Sequence, residues 1–97
     1  MLSEDVKIRF TGFEPTHDAR KALYVVLNQL HLKSPSQSFL DATFTLTNGI
    51  FEGVIKVSSA AEDFVVKASD TKITDVGNKL FDKLGEKLET WKSLRIF

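Results

Sequence analysis

The sequence predicts an α+β domain in the order β-α-β-β-β-α, a four-stranded, largely antiparallel sheet with two helices packed on one face. Three observations lead there. Four segments alternate apolar and polar residues with the period of two that a half-buried strand requires. Two further segments repeat apolar residues at threes and fours, the signature of an amphipathic helix. Asn48-Gly49, lying between two of the alternating segments, supplies a favoured hairpin turn. A sheet covered on one side leaves its other face in water, which explains why every strand alternates.

In the first strand Val6, Ile8 and Phe10 alternate with Lys7 and Arg9 until Gly12 interrupts. Thr16 is suited to cap the helix that follows, Asp18 meets the positive end of its dipole, and Ala19, Ala22, Leu23, Val26, Leu27 and Leu30 form one apolar stripe. That helix is expected from about His17 to His31. The polar run Lys33 to Ser38, with Pro35 disfavouring helix before it, is expected as a surface loop.

The second strand, Phe39 to Thr47, sets Leu40, Ala42, Phe44 and Leu46 against Asp41, Thr43, Thr45 and Thr47. The third, about Ile50 to Ser58, places Phe51, Ile55 and Val57 on one face, and Gly53 suggests a bulge. After Ser59-Ala60-Ala61-Glu62 the fourth strand alternates Phe64, Val66 and Ala68 with Val65, Lys67 and Ser69. Asp70 or Thr71 is then placed to cap a last helix reaching about Leu94, whose seam is Ile73, Val76, Leu80, Leu84, Leu88 and Trp91. Gly77 and Gly85 either weaken that helix or mark close approach to the sheet.

The 97 residues, 42% of them hydrophobic, suffice for one core and are expected as a single domain, 1–97. With no cysteine there is neither a disulfide framework nor a thiolate metal site, and a reducing cytoplasm fits. The apolar runs are too short to span a bilayer and the N-terminus has no leader pattern, so no membrane partner is expected. Thirteen basic side chains balance thirteen acidic ones, so any nucleic-acid contact must use a local patch rather than a global field.

No phosphate-cradling glycine loop, nucleophile elbow or paired metal-ligand motif is present, so the sequence points to no catalytic residue, no metal and no cofactor, and away from an enzyme. His17 and His31 stand at opposite ends of one helix, about 20 Å apart, which is too far for a shared metal. His31 is better explained by carbonyl contacts at the helix C-terminus. Glu62, Asp63 and Asp18 sit in turns or caps, where carboxylates commonly bond the backbone. Trp91 belongs to the seam and Phe97 to the tail, while Tyr24 is the aromatic expected in solvent.

The last helix carries the one patch of interest. At 100° per residue Lys72, Lys79, Lys83 and Lys87 fall within about 80° beside the apolar seam. Asp75, Asp82, Glu86 and Glu89 occupy the next sector, so a solvated face crossed by ion pairs such as Asp75–Lys79 and Glu86–Lys83 is the plain alternative to an anion-binding surface.

Several local strings, in this order, resemble the ribosome hibernation promoting factor family, also called ribosome-associated translation inhibitors. They are Ile8-Arg9-Phe10-Thr11-Gly12, Thr16 with Arg20 in the helix behind it, Asp41-Ala42-Thr43, Asn48-Gly49, and Leu80-Phe81-Asp82-Lys83-Leu84 with Leu88. The resemblance covers nearly the whole chain. It implies a short, diverged, non-enzymatic protein that binds the small ribosomal subunit through 16S rRNA and stops translation in resting or stressed cells. The residues matching that role are Arg20, Lys79, Lys83, Lys87 and Lys92, continued by Lys72, with Lys7, Arg9, Lys56 and Lys67 as support from the sheet.

The chain departs from the family pattern at Glu86, where an arginine is usual, at Thr90, Val26 and Gln29, where lysines are usual, and at Thr71 to Thr74, where the family's entry into the last helix differs. The alternative reading is therefore a protein-interaction or regulatory module that keeps the fold without ribosome binding and uses a sheet face bearing Val54 and Val65. A double-stranded-RNA-binding domain shares the α-β-β-β-α order but suits neither the first strand nor the balanced charge. The sequence leaves the oligomeric state open, a monomer included.

Overall fold

The structure is a computed structural model and describes residues 5–35, 37–60 and 62–95. Its elements run β1 (Val6–Thr11), α1 (His17–Lys33), β2 (Phe39–Thr47), β3 (Ile50–Ser58), β4 (Phe64–Asp70) and α2 (Ile73–Arg95). This is the predicted order. The sheet is ordered β1-β2-β3-β4, with β1 parallel to β2 across the α1 crossover and the other two pairings antiparallel. Asn48 and Gly49 both have positive φ, 51° and 77°, as a tight hairpin between β2 and β3 demands.

α1 packs on β1 and β2, α2 packs on β3 and β4, and the helices touch each other. Leu40, Ala42 and Phe44 of β2, Ile55 and Val57 of β3, and Phe64, Val66 and Ala68 of β4 are buried beneath them, against Leu23, Leu27 and Leu30 of α1 and Val76, Leu80, Leu84 and Leu88 of α2. The predicted stripe of α1 holds except at Ala22, which is exposed on the margin of the helix. α1 also runs two residues past His31, because the Ser34 hydroxyl donates to the Leu30 carbonyl and the Ser34 N–H to the His31 carbonyl, closing the last turn at Ser34.

Two glycines act differently from their predicted roles. Gly53 forms no bulge, since its pairing with Phe44 and Ala68 is continuous with its neighbours. A Cβ there would stand 2.7 Å from Leu80 Cδ1 and 2.8 Å from Val76 Cγ1, so the missing side chain is what lets α2 sit down on β3. Gly77 faces α1 rather than the sheet: its Cβ would meet Leu23 Cδ2 at 2.8 Å. Gly85 has no neighbour within 4 Å of such a Cβ, so it marks no close approach and only loosens the helix.

Candidate nucleic-acid interface

β4 is a free edge of the sheet, and α2 runs along it in the opposite direction. The interior seam of α2 fixes which side chains reach that edge. With Val76, Leu80 and Leu84 buried, the residues one position before them turn outward over β4. Lys79 Nζ donates to the Ser69 carbonyl at 3.0 Å and pairs with Asp70 at 2.9 Å, while Lys83 Nζ donates to the Lys67 carbonyl at 2.7 Å. Both ammonium groups are thereby held at the rim of the sheet.

The Lys79 hydrogen bond, followed by the Thr71 backbone N–H, holds the Asp70 carboxyl below its ordinary value of 3.8. Asp70 ends β4 and turns its carboxylate back on the Thr71 N–H at 2.6 Å, so it does not cap α2. The first backbone bond of that helix runs from Val76 N–H to the Lys72 carbonyl, which makes Lys72 the cap residue in place of Asp70 or Thr71. The expected ladder of ion pairs within α2 is not formed among the described residues, because Lys79 and Lys83 turn to the strand instead.

Lys87 lies one turn beyond Lys83, and the two line an open groove of about 650 Å³ between β4 and the C-terminal half of α2, with Lys67, Trp91, Thr90 and the carboxylates Glu62, Asp63 and Glu86. Lys67 also shares a shallow recess with Lys79, Lys83 and Glu52. Three of the predicted cations, Lys79, Lys83 and Lys87, are thus brought to one edge, and Lys67, which the resemblance assigned only to support from the sheet, joins them there.

The other candidates are dispersed. Lys72 extends the stripe at the start of α2, but Lys92 points about 140° around the helix from Lys87. Arg20 belongs to the opposite side of the molecule, its guanidinium 5.6 Å above the ring of Phe10 in β1. Arg9 Nη2 bonds both oxygens of Asp41, at 3.0 and 2.8 Å. On the open face, register places Lys7, Asp41, Lys56 and Val65 in one row and Arg9, Thr43, Val54 and Lys67 in the next.

Several other expectations meet local structure. His31 Nε2–H donates to the Ser38 carbonyl at 3.0 Å, a carbonyl of the following loop rather than of the helix end. Asp63 accepts from the Ser59 N–H at 3.2 Å, the turn role predicted for it. Trp91 is half-buried, edge-to-face with Phe64 at 6.3 Å, and Phe97 lies outside the described residues. Tyr24 is half-buried, and so is Val54. The exposed ring is instead Phe39, 60% accessible at the start of β2. Its odd position among Asp41, Thr43 and Thr45 already carried that signal.

Among the described residues no three His, Asp or Glu side chains gather as a metal site, and no helix is long and apolar enough to cross a membrane.

No protein-family model matches the chain, and no curated protein is significantly similar to it. Solved structures are. The Thermus thermophilus Protein Y N-terminal domain superposes with a TM-score of 0.76 at 15% identity, covering 94% of this chain and 99% of that one. A ribosomal subunit interface protein from Coxiella burnetii gives a TM-score of 0.75, again at 15% identity, over 91% and 97%. At that identity the likeness is one of fold, and it is the fold the sequence resemblance implied.

Proposed function

We propose that this protein is a ribosome-associated, non-enzymatic factor of the cytoplasm that binds rRNA of the small subunit along the β4–α2 edge and inhibits translation in resting or stressed cells. One observation carries the reading: Lys67, Lys79, Lys83 and Lys87 converge on one edge of a fold shared with a ribosomal subunit interface protein. Lysines set along an edge suit phosphates recognised by shape rather than bases recognised by sequence. A chain with balanced charge needs such a concentration, since no global field draws it to RNA.

Co-sedimentation with purified small subunits at 50 and 200 mM salt tests the reading. Wild type is expected to pellet with subunits at low salt and to release as salt rises, and the variant with Lys79, Lys83 and Lys87 all changed to Glu to stay in the supernatant. No association of the wild type at low salt would end it.

The second reading, a protein-binding module, is favoured by Ile50 and Val65, which expose 45% and 47% of their surface on the open face. A partner that survives nuclease treatment in a pull-down, together with no salt-sensitive retention on RNA, would replace the first reading by this one.

A further inference from the structure

Phe39 is the one exposed aromatic among the described residues, and its surroundings are specific. It stands on the open face at the first position of β2, opposite Ser58, whose side chain is too small to cover a ring. It shares a recess of about 250 Å³ with Lys7 on the β1 side and Lys56 on the β3 side. Register puts these two lysines in the same row, one strand to either side of Asp41, so their Cα atoms are roughly 10 Å apart. Neither has an ion-pair partner among the described residues, whereas Asp41 between them is engaged through both oxygens by Arg9.

The recess lies one diagonal step from the edge. Lys56 and Lys67 are diagonal neighbours on β3 and β4, close enough for long side chains to share one ligand, and Lys67 lines both hollows that contain Lys83. Cations therefore follow one another from Lys87 and Lys83 around the edge to Lys67, Lys56 and Lys7, and the ring lies at the far end. A polyanion alone would gain nothing from an apolar ring there. A polynucleotide would, because any unpaired base has a π-face to lay on it.

We infer that Phe39 is a stacking platform for an unpaired base of single-stranded RNA, with Lys7 and Lys56 holding the phosphates to either side. This rests on the RNA-binding reading above and adds an occupant for the open face. Stacking of this kind is tolerant of base identity, so an oligoadenylate serves as the probe.

Fluorescence anisotropy with a labelled oligoadenylate at low salt, run beside inorganic polyphosphate as a competitor without bases, tests it. Phe39→Ala is expected to weaken oligoadenylate binding about 5- to 100-fold, to leave competition by polyphosphate unchanged, and to melt within a degree or two of wild type because the ring is exposed. Phe39→Trp in a Trp91→Phe background is expected to bind like wild type, with its indole emission quenched by the oligonucleotide. Oligoadenylate binding undiminished in Phe39→Ala, while the triple lysine-to-glutamate variant loses it, would overturn the stacking platform and leave the edge reading intact. Failure of wild type to bind either oligonucleotide or small subunits would overturn both.

Discussion

Gly53→Ala probes the contact that sets the position of α2, and with it the position of the lysines. The added Cβ would lie 2.7 Å from Leu80 Cδ1, 2.8 Å from Val76 Cγ1 and 3.0 Å from Phe44 Cε1. All three neighbours are fully buried, so none can swing aside into solvent. Overpacking of this kind costs about 1–3 kcal/mol. Against it stands the entropy recovered when a strand glycine becomes alanine, about 0.5–1 kcal/mol. Three contacts at 3.0 Å or less place the cost in the upper half of that range, about 2–3 kcal/mol, so the net loss is about 1–2.5 kcal/mol. For a chain of 97 residues the unfolding entropy is roughly 0.2 kcal/mol/K, so Tm should fall by about 5–12 °C. Thermal unfolding followed by far-UV circular dichroism measures this directly. If Gly53 were instead a bulge whose glycine served only the backbone, the new methyl would meet open space. A Tm equal to or above that of wild type would refute the close-approach account.

Four further outcomes are expected. Asp70→Asn should lower Tm at pH 7, and its difference from wild type should shrink as pH falls below 3.8: a carboxylate whose folded pKa lies under its ordinary 3.8 stabilises above that value, and the gain is lost as pH falls through the folded pKa. Ser38→Ala should be neutral or stabilising by up to about 1 kcal/mol, read from urea titration, because the buried Ser38 hydroxyl has no hydrogen-bond partner among the described residues while its carbonyl keeps the His31 bond. Changing Lys79 and Lys83 together to Val should promote self-association visible by light scattering, since it strips the cations from the carbonyls of an edge strand. Glu86→Lys should tighten RNA binding at 50 mM salt and steepen the log–log salt slope by about 0.7–0.9 if the new cation reaches a phosphate.

The strands and their faces were legible in the sequence because alternation encodes burial directly, and Asn48-Gly49 fixed the register of β2 on β3 in advance. Periodicity along α2 likewise showed that its lysines share a side. It could not show what that side faces. Strand order is set by how the sheet closes over the helices, and only that order makes β4 an edge with carbonyls at Lys67 and Ser69 available to Lys83 and Lys79. For the same reason the helix carboxylates looked like the natural partners of these lysines, when a strand ten or more residues away is nearer. Gly53 and Gly77 illustrate the limit differently. Their role is to make room for Leu80, Val76 and Leu23, which lie far off in sequence. Phe39 rather than Tyr24 is the exposed ring because Tyr24 is half-buried on α1, whereas the start of β2 has only Ser58 across from it.

The lysine stripe joins two properties in the same atoms. Edge strands invite pairing with other chains, and cations placed on them discourage it. Here the discouraging cations are also those best placed for phosphate. Their present bonds are weak enough to exchange: Lys79 and Asp70 expose 50% and 26% of their side chains, and water competes for both partners of a pair so solvated. Lys67 and Lys87 need release nothing, since neither has an ion-pair partner among the described residues. On the RNA-binding reading proposed above, a polyanion would meet Lys67 and Lys87 first, and Lys79 and Lys83 would follow by giving up carbonyl oxygens that water can satisfy. That exchange would uncover the edge of β4 only where the bound polyanion covers it, so binding would not expose a strand to another copy of the protein.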